Sequence, residues 1–277
     1  MVIRKRGDNY MFAGFKMKNC NFEECVWEDY IEKGEKLYEQ SKQEVQKSLD
    51  KYLSPDGILQ ADEIEKDWFP SCEANVFLSH SHVDEKKAIA IAGFLSEYGL
   101  TTFIDSCVWG YADELLRAID NKYCVSGKKP DGSIDTYSYS KRNQSTAHVH
   151  MILNSALMKM IDRTECLIFL NTPNSLKIED FSEEKTSSCW IYSELLMSKC
   201  VGKKKIARKP PFLIKGFCEH SDLNVDYKTD TSHLIPLSKN DIEEASRQGK
   251  MVGIALLDQL YYNKRIVRET DYATEEN

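Results

Sequence analysis

The chain has 277 residues, 42% hydrophobic and 29% charged, with 13 Gly and 7 Pro. That profile excludes disordered, collagen-like and coiled-coil classes and leaves room for one sizeable core with an appendage. Its 37 basic and 44 acidic residues give a net charge of -7, so no nucleic-acid partner is expected. The longest mostly apolar run, Ala88 to Leu95, is far below the ~20 residues of a membrane span. The basic start, Met1-Val-Ile-Arg-Lys-Arg, leads into no apolar stretch, so a cytoplasmic protein without a membrane contact is expected. Nine cysteines without a C-x-x-C pair fit scattered thiols in a reducing compartment.

In chain order, residues 23–53 are dense in Glu, Lys and Gln. They place Tyr30, Ile31, Leu37, Tyr38, Val45, Leu49 and Leu53 at one-sided helical spacing. Ser54-Pro-Asp-Gly reads as a stop. Residues 1–70 are therefore expected to form a helical N-terminal appendage. From Ala74 the pattern changes. Asn75-Val-Phe-Leu-Ser79 suits a buried parallel strand, and the apolar positions of residues 85–98 suit a broadly buried helix ended by Gly99. Leu100-Thr-Thr-Phe-Ile104 reads as a second strand.

A loop, Asp105–Gly110, is expected next, then a short helix over 112–121 and an excursion to Gln144. Ser145 or Thr146 is expected to cap a helix carrying Val149, Leu153, Ala156, Leu157 and Met160. Cys166-Leu-Ile-Phe-Leu170 is a third strand. Ser187 or Ser188 should cap a helix from Trp190 to Lys199. Residues 212–217 and 234–237 are candidate strands, and 241–261 is mainly helical. Strand–helix alternation argues for a doubly wound α/β domain with a parallel sheet over residues 74–263, followed by an acidic tail over 264–277.

In such a sheet, ligands bind beyond the C-terminal ends of the strands. The residues there are Ser79-His-Ser-His-Val-Asp84, Asp105-Ser-Cys-Val-Trp109-Gly110, Asn171-Thr-Pro-Asn-Ser175 and Ser188-Cys-Trp-Ile-Tyr-Ser-Glu194. No G-x-G pair, P-loop or G-x-S-x-G elbow is present. A NAD-using enzyme without the dinucleotide fingerprint holds NAD in another way or consumes it. His80, His82 and Asp84 have the spacing of metal ligands, which leaves open a metal-dependent hydrolase. The same residues also fit a polar cleft lining. His148 and His150, which could supply further ligands, fall about 200° apart on a helix, a poor arrangement for joint chelation.

Taken together, these segments resemble the Toll/interleukin-1 receptor (TIR) domains. Asn75-Val-Phe-Leu-Ser-His-Ser81 is similar to their first box. Leu100-Thr-Thr-Phe-Ile-Asp105 is similar to the second strand entering their assembly loop, and Ser188-Cys-Trp-Ile-Tyr-Ser-Glu194-Leu195 to the helix where a Trp and a Glu meet the cleft. The loop has Asp105-Ser-Cys-Val-Trp-Gly110 in place of the animal receptors' Arg-Asp-x-x-Pro-Gly, so the bacterial enzymatic branch fits better than adaptor signalling. That resemblance implies a flavodoxin-like fold and NAD as a substrate rather than a cofactor, cleaved at the nicotinamide–ribose bond in Thoeris-like antiphage defence. It implies Glu194 as the catalytic carboxylate and Ser79, His80, Ser81, Asp105, Trp109 and Trp190 as substrate-binding residues, with no metal. Self-association through the Asp105–Gly110 loop, and an effector protein reached through a nucleotide signal, are the implied partners. A non-enzymatic TIR self-association module is the alternative within the same family.

Overall fold

The chain runs β1 (Ala13–Met17), α1 (26–39), β2 (Val76–Ser79), α2 (Glu85–Glu97), β3 (Thr102–Ile104), α3 (Ser106–Ile119), β4 (Val125–Lys128) and β5 (Ile134–Tyr137). It continues through α4 (Tyr139–Arg163), β6 (Cys166–Leu170), β7 (Lys177–Glu179), β8 (Glu183–Thr186), α5 (Cys189–Cys200), β9 (Tyr227–Lys228), β10 (Ile235–Leu237), α6 (Lys239–Arg247) and α7 (Ile254–Asn263). This computed structural model describes residues 13–18, 20, 22–23, 26–39, 74–179, 183–201, 227–228 and 230–267. The expected strand at 212–217 lies outside the described residues, as does all of the expected tail beyond Val267.

Two compact units divide the chain. One draws on Met1–Leu37, Glu73–Ile104 and Ile161–Asn277, the other on Tyr38–Cys72 and Asp105–Met160. The first unit is built on a five-stranded sheet in the order β10-β1-β6-β2-β3, with every pairing parallel. β2 and β6 are short, almost wholly apolar runs, as suits strands covered on both faces of a parallel sheet. Phe15, Met17, Val76, Phe77, Leu78 and Phe169 are all fully enclosed. The α/β class expected from alternation is therefore observed, and β2, β3 and β6 stand where their β-rich runs predict.

β1 corrects the expectation of a purely helical region over 1–70. Ala13–Met17 pairs with both β10 and β6, so the N-terminal segment supplies an inner strand of the main sheet instead of decorating it. Helix 26–39 is present as the spacing of Tyr30, Ile31, Leu37 and Tyr38 predicts, while the rest of the expected helical stretch, with Val45, Leu49, Leu53 and the stop at Ser54, lies outside the described residues. It crosses α2 at very short range. A Cβ on Gly34 would lie 2.0 Å from the Ile89 carbonyl oxygen, and one on Gly93 would lie 2.0 Å from that of Tyr30. Beside this crossing, Phe22, Trp27, Tyr30, Phe94 and Tyr98 form a chain of ring contacts, with the Lys239 ammonium 5.4 Å from the Phe22 ring centre.

In the second unit the expected loop Asp105–Gly110 is helical, since α3 begins at Ser106. The excursion before Gln144 is an antiparallel hairpin, β4 with β5. α4 starts at Tyr139 rather than after Ser145 or Thr146. Ser138 caps it, its Oγ accepting from the Lys141 amide at 3.5 Å. Ser145 instead lies inside the helix and donates to Asp120 Oδ1 at 2.8 Å, while Arg142 Nε donates to Asp120 Oδ2 at 2.7 Å. These bonds, rather than a cap, account for the polar residues there. Among the described residues, no helix is long and apolar enough to cross a membrane.

Candidate functional site

The candidate site starts where β2 ends. Parallel strands point their C-terminal ends to one edge of the sheet, and β2 delivers Ser79, His80 and Ser81 to that edge beside β6. Ser79 and His80 are fully buried and Ser81 nearly so. α5 arrives from the other side in sequence. Ser188 caps it as expected, its Oγ accepting from the Ile191 amide at 3.3 Å. The helix turns Ile191, Glu194, Leu195 and Ser198 inward, so Glu194 is fully enclosed.

The two elements meet in one bond. Ser79 Oγ donates to Glu194 Oε2 at 2.6 Å, both residues being fully buried. His80 stands in the same electrostatic neighbourhood. Burial lowers its pKa to about 4, against the pull of Glu194, Glu85 and Asp84 toward the charged form. The imidazole is therefore neutral at physiological pH. Trp190, one turn before Glu194 on α5, is half-buried.

No protein-family model, curated protein or solved structure matches this chain.

Of the sequence-predicted residues, the first unit thus brings Ser79 and Glu194 into contact and holds His80, Ser81 and Trp190 on the same two elements. Asp105 and Trp109 belong to the second unit. Asp105 is buried at the residue before α3, but its side chain makes no capping hydrogen bond there. Trp109 lies in the first turns of α3, and its side chain is outside what is described.

The possible metal ligands are dispersed. His82 is exposed on a single 3-10 turn, His82–Asp84, while His80 is enclosed. The Asp84 carboxylate accepts from Thr172 Oγ1 at 2.5 Å and from Asn174 Nδ2 at 3.1 Å. Among the described residues, no group of three or more His, Cys, Asp or Glu could hold a metal ion. His148 and His150 are both exposed on α4.

The Asp84 contacts are what the sequence reading leaves unassigned. They tie the turn after β2 to the Asn171–Ser175 segment after β6, which is further closed by Ser175 Oγ accepting from the Thr172 amide at 2.9 Å. The signal was present in position: a polar Asn-Thr-Pro-Asn-Ser run directly after a buried strand marks a loop at the binding edge.

Proposed function

We propose that this chain is a TIR-like enzyme that breaks the nicotinamide–ribose bond of NAD, with Glu194 as the carboxylate facing the ribose. The observation that carries the reading is the Ser79–Glu194 bond: a fully buried carboxylate fixed at the C-terminal edge of a parallel sheet. Strand order supports it. Without β1, the remaining strands run β10-β6-β2-β3, an order compatible with a flavodoxin-like sheet in which β1 is an added strand. In that frame β2 and β6 flank the switch point, where ligands of such sheets bind.

The chemistry follows from charge. In NAD the nicotinamide carries a positive charge, so heterolysis of the C–N bond returns the electron pair to the ring nitrogen and releases neutral nicotinamide. No strong general acid is needed. The charge left on the ribose is oxocarbenium-like, and a carboxylate beside it in a dry setting stabilises it strongly. Water then adds at the ribose carbon and gives up a proton, yielding ADP-ribose; attack by a group of the same molecule yields a cyclic isomer. A charged imidazole next to Glu194 would oppose the same transition state, and burial keeps His80 neutral. Trp190 offers an aromatic wall one turn away. In the same reading the protein acts in the cytoplasm in antiphage signalling and assembles through residues 105–110.

The test is nicotinamide release by the purified full chain, with and without a crowding agent. Turnover is expected from the native chain and not from a folded Glu194→Gln variant, which keeps the shape and removes the charge. Turnover that survives this substitution removes Glu194 from the chemistry. A folded native chain that self-associates but never consumes NAD favours the interaction-module alternative.

A further inference from the structure

Lys16 is chemically out of place. β1 lies inside the sheet with all five residues buried, and the fourth is a lysine. Its ammonium pairs with the Glu184 carboxylate of β8 and donates to Thr231 Oγ1 at 2.9 Å. The Thr231 hydroxyl in turn donates a hydrogen bond to Glu184 Oε2 at 2.5 Å. All three residues are buried. Desolvation offsets most of the attraction in a buried ion pair, so stability alone is a poor account of such a cluster.

Each of these two partners leads to one end of α5. Glu184 and Thr186 share a face of β8 and are equally buried. Thr186 Oγ1 accepts from the Ser188 amide at 3.1 Å, and Ser188 caps the start of α5. Thr231 leads to the other end. The adjacent Asp230 pairs with Lys199, and this contact with the Ser232 hydroxyl holds its carboxyl well below the usual range. His233 Nε2 lies 2.8 Å from Ser198 Oγ. Ser198 and Lys199 belong to the last turn of α5.

We propose that Lys16 is a positioning residue: one ammonium on the inner strand holds both ends of the helix that carries Glu194, and so sets the Glu194 carboxylate against Ser79. Glu194 lies between the two tethers. A slip of the helix by one residue, about 1.5 Å along its axis, would break the Ser79 contact. The consequence for rate rests on the NAD-cleaving reading; the consequence for α5 does not.

The experiment compares Lys16→Met, Lys16→Arg and Glu184→Gln in the full chain, with Leu257→Ala in α7 as a control for general destabilisation. Amide hydrogen exchange is followed at α5 and at β2. In Lys16→Met, exchange over α5 should accelerate roughly tenfold or more beyond the control while β2 follows the control. Lys16→Arg, which retains a donor and a charge, should restore most of the protection. With NAD, kcat should fall about tenfold at nearly unchanged KM, because geometry and not ground-state binding is lost. If the native chain releases no nicotinamide, the NAD reading fails and the exchange result alone decides on Lys16. Should Lys16→Met not fold, Glu184→Gln, which keeps the shape of the site, carries the test. Exchange over α5 that tracks the control in the folded variants overturns the proposal.

Discussion

Two buried glutamates lie on either side of one helix cap, and they are held in opposite ways. Glu184 takes an ammonium and a hydroxyl, from Lys16 and Thr231. Glu194 takes the Ser79 hydroxyl, beside a histidine that burial keeps neutral. A carboxylate neutralised on the spot is a joint. In the proposed reaction, a carboxylate held beside a hydroxyl is the group that stabilises a cation that comes and goes. The difference in partner chemistry, more than any difference in burial, separates structure from proposed function here.

The strongest way to break this contrast is to remove the joint altogether. Deleting residues 1–17 takes out β1 and Lys16 together, opening the sheet between β10 and β6. Loss of the cooperative urea transition and of the near-ultraviolet dichroism is expected; a native-like transition would mean that β1 is dispensable. Next in size is the comparison of single variants. Glu184→Leu removes the carboxylate that pairs with buried Lys16 and should lower stability by ~3–5 kcal/mol. Glu194→Gln keeps a hydrogen-bonding partner for Ser79 and should change stability by about 1 kcal/mol or less. Urea melts of the two, side by side, check the ordering, and equal losses would erase the distinction.

His80 sharpens the same contrast through pH. Its pKa is lowered in the folded state to about 4 from an ordinary 6.5, so below 6.5 the unfolded chain binds a proton that the folded chain refuses. Stability should be complete above that value and fall as pH drops toward 4, by up to about 1.4 kcal/mol per pH unit. Melts at several pH values in native chain and His80→Gln check this, and an identical slope in both would show that another group sets it. The smallest expected effect is at the cap between the two glutamates. Ser188→Ala should cost about 1 kcal/mol and fray the start of α5. No change in its melt or its exchange would remove the cap from the route between Glu184 and α5.

Much of this contrast is legible in the sequence on one side only. Val76–Ser79, Thr102–Ile104 and Cys166–Leu170 are dense in apolar β-formers and read as strands directly. Ser188 reads as a cap, and Trp190 with Glu194 as a shared helix face. Ala13-Gly-Phe-Lys-Met17 does not read as an inner strand, because a glycine and a lysine interrupt its apolar pattern. Its place depends on Glu184 and Thr231, partners remote in sequence that local periodicity cannot see. The same limit hides the start of α3. Asp105-Ser-Cys-Val-Trp-Gly110 has loop-like composition, yet it is wound into a helix. At α4, Ser145 looks like a cap and is spent on Asp120 instead.

The pairing of β1 has a consequence for how the sheet comes to exist. Ala13 aligns with Cys166, and Phe15 with Ile235, so an early strand waits for partners made late. At ribosomal speeds that delay is on the order of ten seconds, spent with both edges of the strand unsatisfied. High contact order also makes final closure slow. A bare apolar strand would be an invitation to other nascent chains during that interval. A lysine within it is the kind of charge that disfavours strand pairing with a stranger, so the residue that sits awkwardly in the finished sheet is of a type that suits the strand before the sheet is there.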